Sequence, residues 1–125
     1  MSLSLLIVDD GALARHVLKH LMSREGFATV VGAGSVAEAL AAARVVRPDA
    51  ILVDTTDEGV DGPDLIAALS KLCPDARIAA VIPGDDTRAA AAARHAGAEF
   101  TCDAPGAAPV VAELLSALQA APVAL

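Results

Sequence analysis

The chain is 125 residues long, 55% hydrophobic and 20% charged, and its 9 Lys and Arg against 16 Asp and Glu leave a net charge of −7. That length suits a single domain, residues 1–125, able to hide roughly two-thirds of the surface its unfolded chain exposes. The acidic balance argues against direct contact with nucleic acid or an anionic membrane, the apolar content argues against disorder, and no apolar run approaches the roughly 18 residues of a membrane span.

Leu5-Leu6-Ile7-Val8 is a continuous apolar run closed by Asp9-Asp10. A helical pattern follows from Ala12 to Ser23, with Leu13, Val17 and Leu21 four residues apart and Gly26 past its end. Ala28 to Gly32 is the second apolar run, and Ser35 to Val46 the second helix, where Ser35 and Glu38 have the spacing of a capping box. Ala50 to Val53 is closed by Asp54, and Pro63 to Leu72 opens with a proline tolerated in the first turn and stops before Pro74. Arg77 to Ile82 is the fourth run, followed by an Ala-rich helix over Asp85 to Ala96 that Gly97 ends. Glu99 to Cys102 is a weaker fifth strand, and Ala108 to Ala120 carries Val111, Leu114, Leu115 and Leu118 on one face. Short runs apolar on both faces suit strands of a covered parallel sheet. The strict alternation of strand and helix predicts an α/β domain with right-handed crossovers.

Two cysteines, Cys73 and Cys102, are too few for a disulfide scaffold and lack metal-ligand spacing. The N-terminus carries no basic n-region or cleavage site. Reduced thiols in a cytoplasmic protein are the expectation.

In open α/β sheets, sites form beyond the carboxyl ends of the strands. Asp9 and Asp10 follow the first strand and Asp54 ends the third. Should those strands be neighbours, three carboxylates meet in one crevice, and a hard dication such as Mg²⁺ would offset their repulsion. A carboxylate beside such an ion can act as a nucleophile and become an aspartyl-phosphate. The plainer alternative is that each acid is a helix cap or a solvated loop residue.

Leu6-Ile7-Val8-Asp9-Asp10, Leu52-Val53-Asp54, Val60-Asp61-Gly62 and Ala96-Gly97-Ala98 together resemble the receiver domain of bacterial response regulators, over essentially the whole chain. The resemblance implies a flavodoxin-like (βα)5 doubly wound fold, its five parallel strands in the order 2-1-3-4-5 with helices on both faces. It implies Asp9 and Asp10 as Mg²⁺-binding acids, Asp54 as metal ligand and phosphoacceptor, and the backbone carbonyl of Thr56 as a further ligand. It implies a sensor histidine kinase or phosphotransfer protein as phosphodonor, and homodimer or partner contacts through the fourth helix, fifth strand and fifth helix. Such a domain signals by protein contact and is not an enzyme beyond self-catalysed phosphotransfer and dephosphorylation.

The chain also departs from the receiver pattern. The Thr or Ser usual at the end of the fourth strand is Ile82, and the Lys usual before the proline after the fifth strand is Ala104. Asp57-Glu58 stands where Met-Pro is usual, and the aromatic position of the fifth strand falls on Thr101, with Phe100 one residue earlier. The half of the site that would sense phosphate is thus expected to be missing. A second possibility is a pseudo-receiver, a phosphorylation-independent interaction scaffold. A flavin-binding reading is weak, because the chain has no Trp or Tyr and no phosphate loop after the first strand.

Other patterns take bland readings. His16 and His20 lie one helical turn apart without an evident third ligand. Gly32-Ala33-Gly34 lacks the third glycine of a dinucleotide loop and is expected to be a strand-to-helix turn. Asp54-Thr55-Thr56-Asp57 has one residue too many for the acidic pair of a haloacid-dehalogenase phosphatase.

Overall fold

The computed structural model describes residues 2–11, 19, 26–56 and 61–120. The helix expected over Ala12 to Ser23, with His16 and His20, lies outside the described residues apart from Lys19. Five strands are present: β1 (Ser4–Val8), β2 (Thr29–Ala33), β3 (Ala50–Asp54), β4 (Arg77–Val81) and β5 (Phe100–Cys102). The described helices are α1 (Val36–Val46), α2 (Gly62–Leu72), α3 (Thr87–Ala96) and α4 (Ala107–Gln119).

All strand pairs are parallel, and the sheet runs β2-β1-β3-β4-β5, so the expected order 2-1-3-4-5 is found. Alternate side chains of each strand point to opposite faces. Leu6, Val8, Ile51, Val53, Ile78 and Ala80 join one core with residues of α1, α2 and α3. Leu5, Ile7, Leu52, Ala79 and Val81 join the other with Phe27 and Val110, Val111, Leu114 and Leu115 of α4. With helices on both faces, the sheet leaves its strand ends as the place for polar side chains. Among the described residues no helix is long and apolar enough to cross a membrane.

Local chemistry sets the element ends. The Ser35 hydroxyl accepts the Glu38 N–H at 3.1 Å, while the Glu38 carboxylate accepts the N–H of Gly34 at 2.9 Å. That reach lands one residue earlier than in a standard capping box. Asp86 caps α3 through the N–H groups of Arg88 and Ala89, so Asp85 lies outside the helix that was expected to include it. Gly97 ends α3 at φ 132, where a Cβ would sit 2.9 Å from the Ser70 hydroxyl. Gly32 and Ala33 are not a turn. They pair with Ile7 and Val8 as the end of β2.

Candidate functional site

β1 and β3 are neighbours, with Val8 opposite Val53. Asp9 and Asp54 are the next residues along, so they leave the sheet side by side at strands about 4.8 Å apart. Among the described residues Asp9 is the one buried charged side chain. Its N–H donates to the Ala33 carbonyl at 3.0 Å, and its Oδ1 accepts the Gly11 N–H at 2.8 Å. Asp10 is exposed. Asp54 is half-buried, and its Oδ1 accepts the Thr56 N–H at 2.9 Å and the Thr56 hydroxyl at 2.6 Å.

The structure therefore brings Asp9, Asp54 and Thr56 to one rim without closing the expected three-acid cluster. Among the described residues no three His, Cys, Asp or Glu side chains stand close enough together to hold a metal ion. Asp9 and Asp54 each accept a hydrogen bond from their own turn, from the N–H of Gly11 and of Thr56. The donor set itself is oxygen only, carboxylates and a backbone carbonyl, which is the chemistry Mg²⁺ requires. Asp9, Asp10, Asp54 and the Thr56 carbonyl thus fit the ion by type and by strand position.

Two features of this rim escaped sequence reasoning. Thr55, between Asp54 and Thr56, donates its N–H to the Val81 carbonyl at 2.9 Å and its hydroxyl to the same oxygen at 2.6 Å. A Cβ on Gly62, the first residue of α2, would fall 2.6 Å from Thr55 Cβ and Cγ2. The glycine of Val60-Asp61-Gly62 is therefore a steric requirement of the turn that follows β3. Asp57 and Glu58 lie outside the described residues.

On the β4 and β5 side, Asp54, Val81 and Cys102 occupy one register row. Ile82 follows β4, is buried, and donates its N–H to the Cys102 carbonyl at 2.8 Å. Ala104 opens a short 3₁₀ turn to Gly106, whose N–H is accepted by Asp103 Oδ1 at 2.9 Å. The Thr101 hydroxyl lies 3.2 Å from Arg94 Nη2 of α3, while Phe100 packs into the core under α4. The Cys102 thiol is pushed up to about 11, first by burial and then by the charges of Asp103 and Asp54. Cys73, at the far end of α2, is raised mainly by burial, with Arg47 opposing. Both thiols are free.

Comparison with known proteins places these features in a family. Residues 5–103 match the response regulator receiver domain. A protein-glutamate methylesterase/protein-glutamine glutaminase of Myxococcus xanthus is 42% identical over 77 residues, which are 61% of this chain and 21% of that protein. The chemotaxis protein CheY of Thermotoga maritima is 32% identical over 78 residues, 62% of this chain and 65% of that protein. The chain thus matches less than two-thirds of the length of each. A Burkholderia pseudomallei response regulator, solved with a phosphorylated aspartic acid, calcium ion and citrate, superimposes with a TM-score of 0.78 at 28% identity, over 99% of this chain and 78% of that one. A LuxR-family response regulator from Aurantimonas sp. shares the fold with a TM-score of 0.82 at 24% identity, over 100% of this chain and 90% of that one.

Proposed function

The chain belongs to the response regulator receiver domain family, and on that footing we propose that it accepts a phosphoryl group on Asp54 from a phosphohistidine of a sensor kinase or phosphotransfer protein. The observation that carries this reading is the placement of Asp9 and Asp54 on adjacent central strand ends. Thr56 holds Oδ1 of Asp54 through two hydrogen bonds, which leaves Oδ2 as the nucleophile of this proposal. Oδ2 forms the new P–O bond as the P–N bond of the donor breaks, and the imidazole nitrogen leaves with the bonding pair and takes up a proton from solvent. Bound Mg²⁺, held by Asp9, Asp10, Asp54 and the Thr56 carbonyl, would supply charge neutralisation for the phosphoryl oxygens. Contact with partners, or with a second copy, would run through α3, β5 and α4.

A phosphorylation-independent scaffold is the competing function, and Ile82 with Ala104 favours it. Intact mass after incubation with a small-molecule phosphodonor and Mg²⁺ separates the two. One phosphoryl group on the wild type and none on Asp54→Asn is the expected result. An unmodified wild type would remove the acceptor function and leave the scaffold.

A further inference from the structure

Thr55 sits between the two residues to which the acceptor site assigns work, Asp54 and Thr56. Its N–H extends the β3–β4 ladder to the Val81 carbonyl, so the 2.6 Å bond of its hydroxyl to the same oxygen is an addition to that ladder. On its other side the methyl group faces the first residue of α2, where even a Cβ on Gly62 would come within 2.6 Å of it. The side chain is thus gripped from two directions, by a carbonyl lone pair and by a helix whose first residue is cut down to make room. A hydroxyl that merely found a convenient carbonyl would account for the first contact but not for the second.

We propose that Thr55 is a positioning residue of the metal and acceptor site, fixing the turn that aims the Asp54 carboxylate and the Thr56 carbonyl. The inference rests on the phosphoacceptor function proposed above. The isosteric change Thr55→Val makes the reason concrete. A methyl carbon in place of the hydroxyl cannot stay 2.6 Å from the Val81 oxygen, because carbon–oxygen contacts need roughly 3.3–3.6 Å. The turn must back away from β4, toward the side where its methyl already occupies the place a Gly62 Cβ would take. Asp54 Oδ1 and the Thr56 carbonyl would move with the turn, and the oxygens that would hold the ion would no longer be set for it. Thr55→Ser keeps the hydroxyl and its bond to the Val81 carbonyl, the contact that ties the turn to β4, and gives up only the methyl packing against α2.

The test is a Mg²⁺ titration of the full chain, followed by the backbone amide NMR signals of Gly11 and Thr56, at a temperature where thermal melts show each variant folded. Thr55→Val is expected to weaken Mg²⁺ binding by about tenfold or more, the usual loss when a group behind a ligand is removed. Thr55→Ser is expected to bind as the wild type does. This rescue separates positioning from stability, since a purely structural threonine would lower the melting temperature without changing the affinity of the folded protein. Should Thr55→Val fail to fold, Thr55→Ala removes the hydroxyl without adding bulk and carries the same comparison. Wild-type affinity in the folded Val variant, or in the Ala variant used in its place, overturns the proposal alone. A wild type whose signals do not respond to Mg²⁺ overturns the metal site itself and this proposal with it.

Discussion

At the ends of β1 and β3 the chain presents oxygen: Asp9 buried, Asp54 half-buried, and a Thr56 hydroxyl and N–H gathered onto one carboxylate. At the ends of β4 and β5 it presents the apolar Ile82 and Ala104, with the Asp103 carboxylate between them in the chain turned to its own backbone. Ile82 is buried and spends its N–H on the Cys102 carbonyl, and the turn from Ala104 is closed by Asp103 onto Gly106. The first side offers the oxygen atoms on which the proposed metal and phosphoacceptor site rests. The second offers neither a hydroxyl at position 82 nor a cation at position 104 to a new phosphoryl group. A ligand shifts a conformational balance only through contacts that differ between the two states. Under the proposed function, loading and switching would therefore be separable properties of one rim, each open to being broken without the other.

The largest effects should follow this division. Asp54→Asn should abolish phosphoryl uptake, whereas Ile82→Ala should leave uptake by the folded protein near the wild-type rate, measured by intact mass over time. Equal loss in both variants would mean that the two sides act as a single unit.

Mg²⁺ should stabilise the protein through the acidic side alone. A ligand at ten times its dissociation constant contributes about 1.4 kcal/mol, which for a domain of this size raises the melting temperature by roughly 5 °C. Asp9→Asn or Asp54→Asn should blunt that rise, and Ala104→Lys should not. A thermal melt in which Mg²⁺ shifts all four proteins alike would remove the specific site.

A smaller and more distributed effect is expected from a beryllofluoride mimic of the phosphoryl group. In the wild type, amide shifts should stay near residues 9–11 and 54–56. The loaded site carries roughly −2, from two acids, a phosphoryl group and a dication. Restoring Ile82→Thr and Ala104→Lys together gives that charge a hydroxyl and a cation to draw in, and the shifts should spread into α3 and β5. Wide shifts in the wild type would show that another group has taken over the switch.

Much of this was readable before any coordinates. Apolar runs such as Ala50–Val53 are buried on both faces, and such runs identify parallel strands without knowledge of their neighbours. Acids immediately after them marked the rim. What was not readable depends on partners distant in the chain. Gly32 and Ala33 look like a turn locally, and only their pairing with Ile7 and Val8 makes them strand. Thr55 and Gly62 are seven positions apart, and no local pattern announces that one is carved to fit the other. The three-acid cluster was inferred from strand ends alone. Ends place backbones but do not say which donors the carboxylates accept from, and the bonds from Gly11 and Thr56 follow from the turns beyond the strands.

The smallest expected effect tests whether the two sides feel each other at all. The Cys102 thiol is raised from an ordinary value near 9.0 to about 11, with burial the largest cause, Asp103 the second and Asp54 the third. Between those values the unfolded chain has released the proton and the folded chain still holds it. Stability therefore falls as pH rises through that window. The contribution of the neutral thiol is complete below pH 9 and gone above pH 11. Cys73 shifts in the same direction, so the decisive comparison is wild type against Cys102→Ala, in denaturant melts taken from pH 8 to 11. The variant should lose less stability across that range. Asp103→Asn should lower the thiol's titration point, and Asp54→Asn should lower it by less, because its charge acts along the register row from β3 past Val81. A thiol titration by ultraviolet absorbance in which Asp54→Asn leaves Cys102 unmoved would mean that the acceptor's charge is screened before it reaches β5. A phosphoryl group there would then be electrostatically silent on the far side as well.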